Sequence, residues 1–264
     1  LAAFIDNDAM LQTLCECIAI KSVGGEPQEG MPFGKGVAEA LEFILTKGKE
    51  LGFEAVNVDG YAGYVEYCPE NCTNDSEMIG VLGHVDVVPA GDGWKTEPFK
   101  GVIADGKIIG RGALDDKGPV IAALYAMKAV KDSGVELKRR IRLIVGTDEE
   151  TGSTDMERYK KTEELPVYAF TPDAMFPVVN SEKSMVVFMI SKRFSDSSGA
   201  EKCSLVSASG GLAVNQVPDK AEMILKFGEK TAAIKNAEGR AAHGSTPEAG
   251  INAIDSLFKE VTAD

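Results

Sequence analysis

Apolar positions recur along the chain with two different periods. Met10, Leu11, Leu14 and Ile18 fall on one face of a helix predicted over about residues 8–20. A second helix is predicted from about 36 to 51, with Val37, Leu41, Ile44 and Leu45 inward and Gly52 at its end. Residues 53–58 then alternate toward Asp59-Gly60 and residues 61–67 return, which reads as a hairpin. Residues 78–83 form a short apolar run of buried-strand type, and 102–109 form another Asp-Gly hairpin. A helix is predicted over about 117–131, striped by Val120, Ala123, Leu124, Met127 and Val130. Residues 141–145 and 167–170 read as further strands. Strands alternating with helices predict an α/β fold.

The texture changes near residue 182. Residues 184–190 predict a long strand, and 195–199 a Ser-Gly-rich turn. The remainder reads as strands plus one helix over about 247–261, with Ile251, Ile254, Leu257, Phe258 and Val261 on one side. A domain boundary is therefore expected at 181–183, dividing the chain into 1–181 and 182–264. No internal repeat or low-complexity tract is evident.

Composition narrows the classes. The chain has 264 residues, 44% hydrophobic and 26% charged, enough to bury a sizeable core. A net charge of −13 argues against nucleic acid or an anionic membrane as partner. No apolar run approaches the roughly 20 residues that span a bilayer. The first residues lack the basic and apolar regions of a signal peptide. Cys15, Cys17, Cys68, Cys72 and Cys203 are scattered and odd in number. Cys15 and Cys17 read as core thiols, and Cys68 and Cys72 have no second pair with which to hold zinc. A reducing, cytoplasmic setting is expected.

Candidate chemistry gathers after strand ends, where open α/β sheets build their sites. Gly83-His84-Val85-Asp86 closes one strand. Two apart in extended chain, His84 and Asp86 point to one side. Asp115 and Asp116 stand before a helix, and Asp148-Glu149-Glu150 and Thr171-Pro172-Asp173 follow two further strands. Neutral imidazole with carboxylates suits zinc, and also manganese or cobalt. Two metals about 3.5–4 Å apart need a bridging carboxylate, for which Asp115 is placed. One of Glu149 and Glu150 can bind metal while the other acts as base. Each motif alone has a plainer explanation: His84 and Asp86 as a surface pair or a hydrogen-bonded core histidine, Asp115-Asp116 as a helix cap, Glu149-Glu150 as the start of a solvated helix. Their joint occurrence, each after a separate strand, favours chemistry.

These motifs carry a resemblance. Gly83-His84-Val85-Asp86-Val87-Val88-Pro89, Gly110-Arg111-Gly112-Ala113-Leu114-Asp115-Asp116-Lys117-Gly118, Asp148-Glu149-Glu150-Thr151-Gly152-Ser153 and Thr171-Pro172-Asp173-Ala174 resemble, in order, the zinc-dependent M20 metallopeptidase family. Trp94-Lys95-Thr96-Glu97-Pro98-Phe99 also fits. Pro172-Asp173-Ala174-Met175-Phe176-Pro177 and the lid texture resemble the PepV-type Xaa-His dipeptidase branch.

The resemblance implies a zinc-peptidase-like mixed sheet flanked by helices, with an inserted α+β lid domain that begins within 182–264. It implies hydrolysis of short peptides with two zinc ions. His84 and Asp173 would bind the first metal, Asp115 would bridge, and Glu150 would bind the second. Glu149 would be the general base and Asp86 would orient His84. His243, in Ala241-Ala242-His243-Gly244-Ser245, would be a lid histidine that helps hold the oxyanion. Asn215 matches a lid position that contacts substrate, although a strand-end turn explains it equally. The bond between Asp115 and Asp116 is a candidate cis peptide.

One family feature is missing. The second metal takes another histidine from a late segment, and this sequence has only His84 and His243. We therefore expect a fragment, inactive alone, whose parent is a monomeric cytoplasmic dipeptidase. An N-acyl amino acid deacylase or carboxypeptidase of the same family is one alternative. A non-catalytic metal-binding module is another, against which the intact Glu149 argues.

Overall fold

A computed structural model describes residues 1–73, 76–91, 93–174, 179, 184, 186–191, 204–227 and 230–263. The chain divides into two compact units, Leu1–Val179 and Asn180–Asp264.

In the first unit α1 (Asn7–Ala19) is capped by Asp6, whose side chain accepts the Ala9 N–H at 3.0 Å. α2 (Lys35–Glu50) follows. β1 (Glu54–Val58) and β2 (Ala62–Tyr67) pair antiparallel. Their turn puts Asp59 and Gly60 both at positive φ, the geometry an Asp-Gly pair favours. β3 (Met78–His84) and the small hairpin β4 (Val102–Ala104) and β5 (Lys107–Ile109) lead to α3 (Lys117–Asp132). β6 (Arg140–Gly146) is followed by a single 3-10 turn at Glu149–Thr151, by α4 (Thr154–Thr162) and by β7 (Tyr168–Phe170).

The sheet runs β1-β2-β6-β3-β7 and is mixed. β2 meets β6 antiparallel, whereas β3 runs parallel to both β6 and β7. β3, β6 and β7 therefore end on the same edge. The helices cover both faces. Leu14, Ile18, Leu41, Ile44, Leu124, Val81, Leu143 and Val145 make one core among α1, α2, α3 and the sheet. Ile144 and Tyr159, with Leu82, make a second core under α4. Successive strand residues thus serve opposite cores, so Leu143, Ile144 and Val145 of β6 read as a continuous apolar run. Each fully buried leucine or isoleucine contributes about 1.5–3 kcal/mol.

The second unit contains β8 (Ser204–Gly210), β10 (Lys220–Phe227) and β11 (Lys230–Glu238) in an antiparallel sheet ordered β11-β10-β8, with β9 (Gln216–Val217) paired to β12 (Ala242–His243). Ala221 and Met223 of the sheet pack with Ala253 and Leu257 of α5 (Ala253–Ala263).

Two expectations need correction, and one element has no counterpart in the sequence reading. Ser184 and residues 186–190 belong to no strand, and their apolar side chains are exposed. The helix expected over 247–261 is instead a 3-10 turn, Pro247–Ala249, followed by α5. Asn252 starts α5 by accepting the Ile254 N–H at 2.9 Å, while Ile251 pairs with Arg240 in an isolated bridge. Ile251 and Phe258 are exposed rather than inward. Finally, α4 has no counterpart in the periodicity, because only Asp155 and Tyr159 are buried on it. Cys203, Met175, Phe176, Pro177, residues 195–199 and the expected boundary at 181–183 lie outside the described residues.

Candidate metal centre

β3 delivers His84 at its last position, and the chain beyond is pinned in extended form. Ser22 Oγ donates to the Val85 carbonyl at 2.6 Å, Val85 N–H donates to Gly146 O at 3.0 Å, and Val87 N–H to Ser22 O at 3.0 Å. Asp86 is thereby held two residues on, beside the imidazole. His84 and Asp86 are both buried.

His84 Nδ1 lies 3.0 Å from the Asp86 carbonyl oxygen and 3.2 Å from its Oδ1. Both oxygens can only accept, so Nδ1 carries the proton and Nε2 is left with a lone pair. Nε2 is buried and makes no well-aligned hydrogen bond. Three carboxylates nonetheless converge on it: Asp115 Oδ1 at 3.2 Å, Asp173 Oδ2 at 3.5 Å and Glu149 Oε2 at 4.0 Å. In the neutral ring that lone pair is repelled by the carboxylates, so the arrangement calls for a cation at Nε2, either a metal ion or, in its absence, a second proton on the ring. Burial alone would depress the imidazole, but the Asp115 and Asp86 carboxylates overcome it and push His84 up to about 11. Asp115 is correspondingly held low by His84. Burial, reinforced by their like-charged neighbours, raises Glu149, Glu150 and Asp173.

The donor atoms form two overlapping groups, His84 with Glu149 and Asp173, and His84 with Asp115 and Glu150, each spanning no more than 4.8 Å. An unsatisfied imidazole nitrogen ringed by hard oxygen donors fits a divalent cation such as zinc, manganese or cobalt.

The alternatives to chemistry lose ground here. Asp116 precedes α3 but makes no side-chain cap; its Oδ2 accepts the His84 backbone N–H at 3.1 Å. The Asp115-Asp116 peptide bond is cis. Glu149 and Glu150 sit in a 3-10 turn ahead of α4, not in a solvated helix. The Glu150 N–H donates to Asp86 Oδ2 at 3.1 Å, so Asp86 touches both His84 and the glutamate turn.

Sequence reasoning missed the residues beneath this layer. Lys117 is fully buried and donates to the Cys17 and Ile20 carbonyls at 2.9 and 2.7 Å, tying the start of α3 to the end of α1. Asp148 and Asp155 are buried under the glutamate turn. No periodicity or spacing singles these residues out, since their partners are backbone groups and, for Asp148, the neighbouring Thr151 and Thr154 hydroxyls.

Within the second unit, His243 pairs with Gln216 across the β9–β12 ribbon, and Gly244 N–H donates to Asn215 O at 2.6 Å. Asn215 and His243 therefore lie at one end of that ribbon. His243 Nδ1 accepts the Ser245 N–H at 3.2 Å and stands 2.7 Å from the Ser245 hydroxyl, so the ring proton falls on Nε2.

A model of the family described as Peptidase family M20/M25/M40 matches residues 80–262. "Putative dipeptidase YtjP" of Bacillus subtilis (strain 168) is 40% identical over 274 residues, covering 94% of this chain and 58% of that protein. A "Putative dipeptidase" of Staphylococcus epidermidis is 37% identical, covering 96% of this chain and 59% of its own length. The chain thus spans less than two thirds of the curated relatives it matches. Among solved structures, human carnosine dipeptidase 1 superposes with a TM-score of 0.53 at 27% identity, over 64% of this chain and 39% of that one. A metallo-carboxypeptidase from Sulfolobus solfataricus shares the fold, with a TM-score of 0.50 at 24% identity over 62% of this chain and 37% of that one.

Proposed function

The chain belongs to peptidase family M20/M25/M40, and we propose that it carries the metal-binding portion of a dipeptidase that hydrolyses short peptides with two zinc ions. The observation that carries this reading is the buried His84 Nε2 facing Asp115, Asp173 and Glu149 without a hydrogen bond. The names of the bacterial relatives agree with a dipeptidase.

In this reading His84 and Asp173 hold one ion, Asp115 is shared, and Glu150 belongs to the second. Bound divalent ions would supply Lewis acidity, lowering the pKa of water and polarising the peptide carbonyl. Glu149 Oε2 faces the same nitrogen at 4.0 Å, beside the ion-binding groups. It would take the proton from the attacking water and return it to the leaving amine. Asp86 holds the imidazole in the tautomer that keeps Nε2 free for metal. His243, with Nε2 as donor, would stabilise the developing oxyanion, and Asn215 beside it would contact substrate. Residues 1–181 would form the catalytic domain without its final segment, and 182–264 the first part of the lid.

The test uses the protein expressed from its complete gene. It should contain about two zinc ions, as a two-metal site requires, and release both amino acids from unblocked dipeptides after zinc loading. Cleavage confined to N-acylated amino acids would make it a deacylase instead. Metal binding without turnover of any peptide would leave only a binding module.

A further inference from the structure

The two glutamates lie beyond the last residue of β6, where no strand ladder holds them. Glu149–Thr151 is a lone 3-10 turn, entered from Thr147 and Asp148 and left through Gly152 and the positive-φ Ser153. Something other than regular structure must fix its direction.

Asp155, in the first turn of α4, reaches back to do so. It is 1% exposed. Its Oδ2 accepts two backbone N–H groups, from Thr147 at 2.6 Å and Asp148 at 3.1 Å, and its Oδ1 accepts Met156 N–H at 2.6 Å. Among the described residues no lysine or arginine pairs with it. A buried carboxylate held by amides alone is costly, so its place needs a reason. Three N–H donors meet two acceptor oxygens; an asparagine would turn an NH2 group toward one side of that set. Asp148 then closes the turn from within. Its Oδ2 accepts the Thr154 hydroxyl at 2.6 Å and N–H at 3.1 Å, and its Oδ1 accepts the Thr151 hydroxyl. Gly146 is shaped to the same contact: a Cβ there would stand 2.7 Å from Asp155 Oδ2, with the next neighbour, Gly83 O, at 3.5 Å.

We propose that Asp155 is a positioning residue for the reaction: by gripping the amides of Thr147 and Asp148 it aims Glu149 and Glu150 at His84. The inference rests on the reading of Glu149 as base and Glu150 as metal ligand. Asp155 touches neither substrate nor ion; it acts through the exit of β6.

The test compares Asp155→Asn, Gly146→Ala, Glu149→Gln and Leu41→Ala in the zinc-loaded protein from the complete gene. Leu41→Ala is a distant core change that matches a loss of Tm without touching the turn. Asp155→Asn should lower kcat about a hundredfold with KM changed less than about twofold, because the reacting groups are misplaced rather than the substrate released. Gly146→Ala, which displaces an intact carboxylate, should lower kcat in the same direction, and it decides the matter if Asp155→Asn does not fold. Leu41→Ala should keep kcat at equal Tm. Wild-type kcat in folded Asp155→Asn alongside an inactive Glu149→Gln overturns this inference alone. An equal fall of kcat in Leu41→Ala also overturns it, since stability would then explain the loss. Full turnover in Glu149→Gln overturns the underlying reading together with it.

Discussion

The backbone N–H of Glu150 donates to Asp86 Oδ2 at 3.1 Å, while the other oxygen of the same carboxylate lies 3.2 Å from His84 Nδ1. One buried side chain therefore spans the end of β3 and the turn after β6. The two donor groups at His84 are built on those two segments together with Asp115 and Asp173.

Asp86→Ala should loosen both at once. Metal affinity or activity should fall about 10–100-fold, the usual cost of losing the partner behind a ligand. Zinc titration of the metal-free protein checks this, and wild-type affinity would remove Asp86 from its role.

Glu149→Gln keeps the shape of the side chain and removes the base. Turnover should fall about 10²–10⁴-fold. Metal content should stay at the wild-type value, as measured by elemental analysis. Parallel loss of metal would instead make Glu149 a ligand, which its place in the His84–Glu149–Asp173 group allows.

Lys117→Met should destabilise the protein by about 2–4 kcal/mol. The ammonium caps two carbonyls at the end of α1, and methionine fills the space but leaves the Ile20 oxygen without this donor and the Cys17 oxygen with only the Ile20 N–H at 3.2 Å. Denaturant unfolding measures the loss. A variant as stable as wild type would show that the cap contributes nothing.

Cys17 sets a pH window. Burial raises its thiol from 9.0 to about 11, against a small opposing pull from the Lys117 charge. Between those values the unfolded chain gives up the proton while the folded chain keeps it. The unfolded state is thereby favoured, and stability falls as pH rises through this window, by up to about 2–3 kcal/mol. Below the lower value both states are protonated and the effect vanishes. Cys17→Ala should cost about 1 kcal/mol of packing at neutral pH and lose less stability than wild type toward pH 11. Unfolding curves from pH 7 upward compare the two, and identical slopes would sink the assignment.

Much of the first unit is legible in the sequence because its helices and strands each bury one face or two. Met10, Leu14 and Ile18 mark α1 by a 3.6-residue period, and the Asp59-Gly60 and Asp105-Gly106 pairs mark hairpins by their tolerance of positive φ. α4 was not legible, since its charged face outweighs two buried residues. Ser184 and residues 186–190 misled in the opposite way: apolar character alone does not make a strand, and among the described residues no strand pairs with them.

The site divides along the same line. Residue type and order named His84, Asp115, Glu149, Glu150 and Asp173, because a metal centre requires an imidazole and carboxylates after strand ends, and these are chemical facts of the chain. Tertiary structure alone decided that they meet. The parallel pairing of β3 with β6 and β7 brings residues 84, 149, 150 and 173 to one edge of the sheet. Asp86, Asp116, Asp148 and Asp155 are then set to work on backbone amides. Every residue carries such an amide, so no sequence pattern announces which one a buried carboxylate will hold.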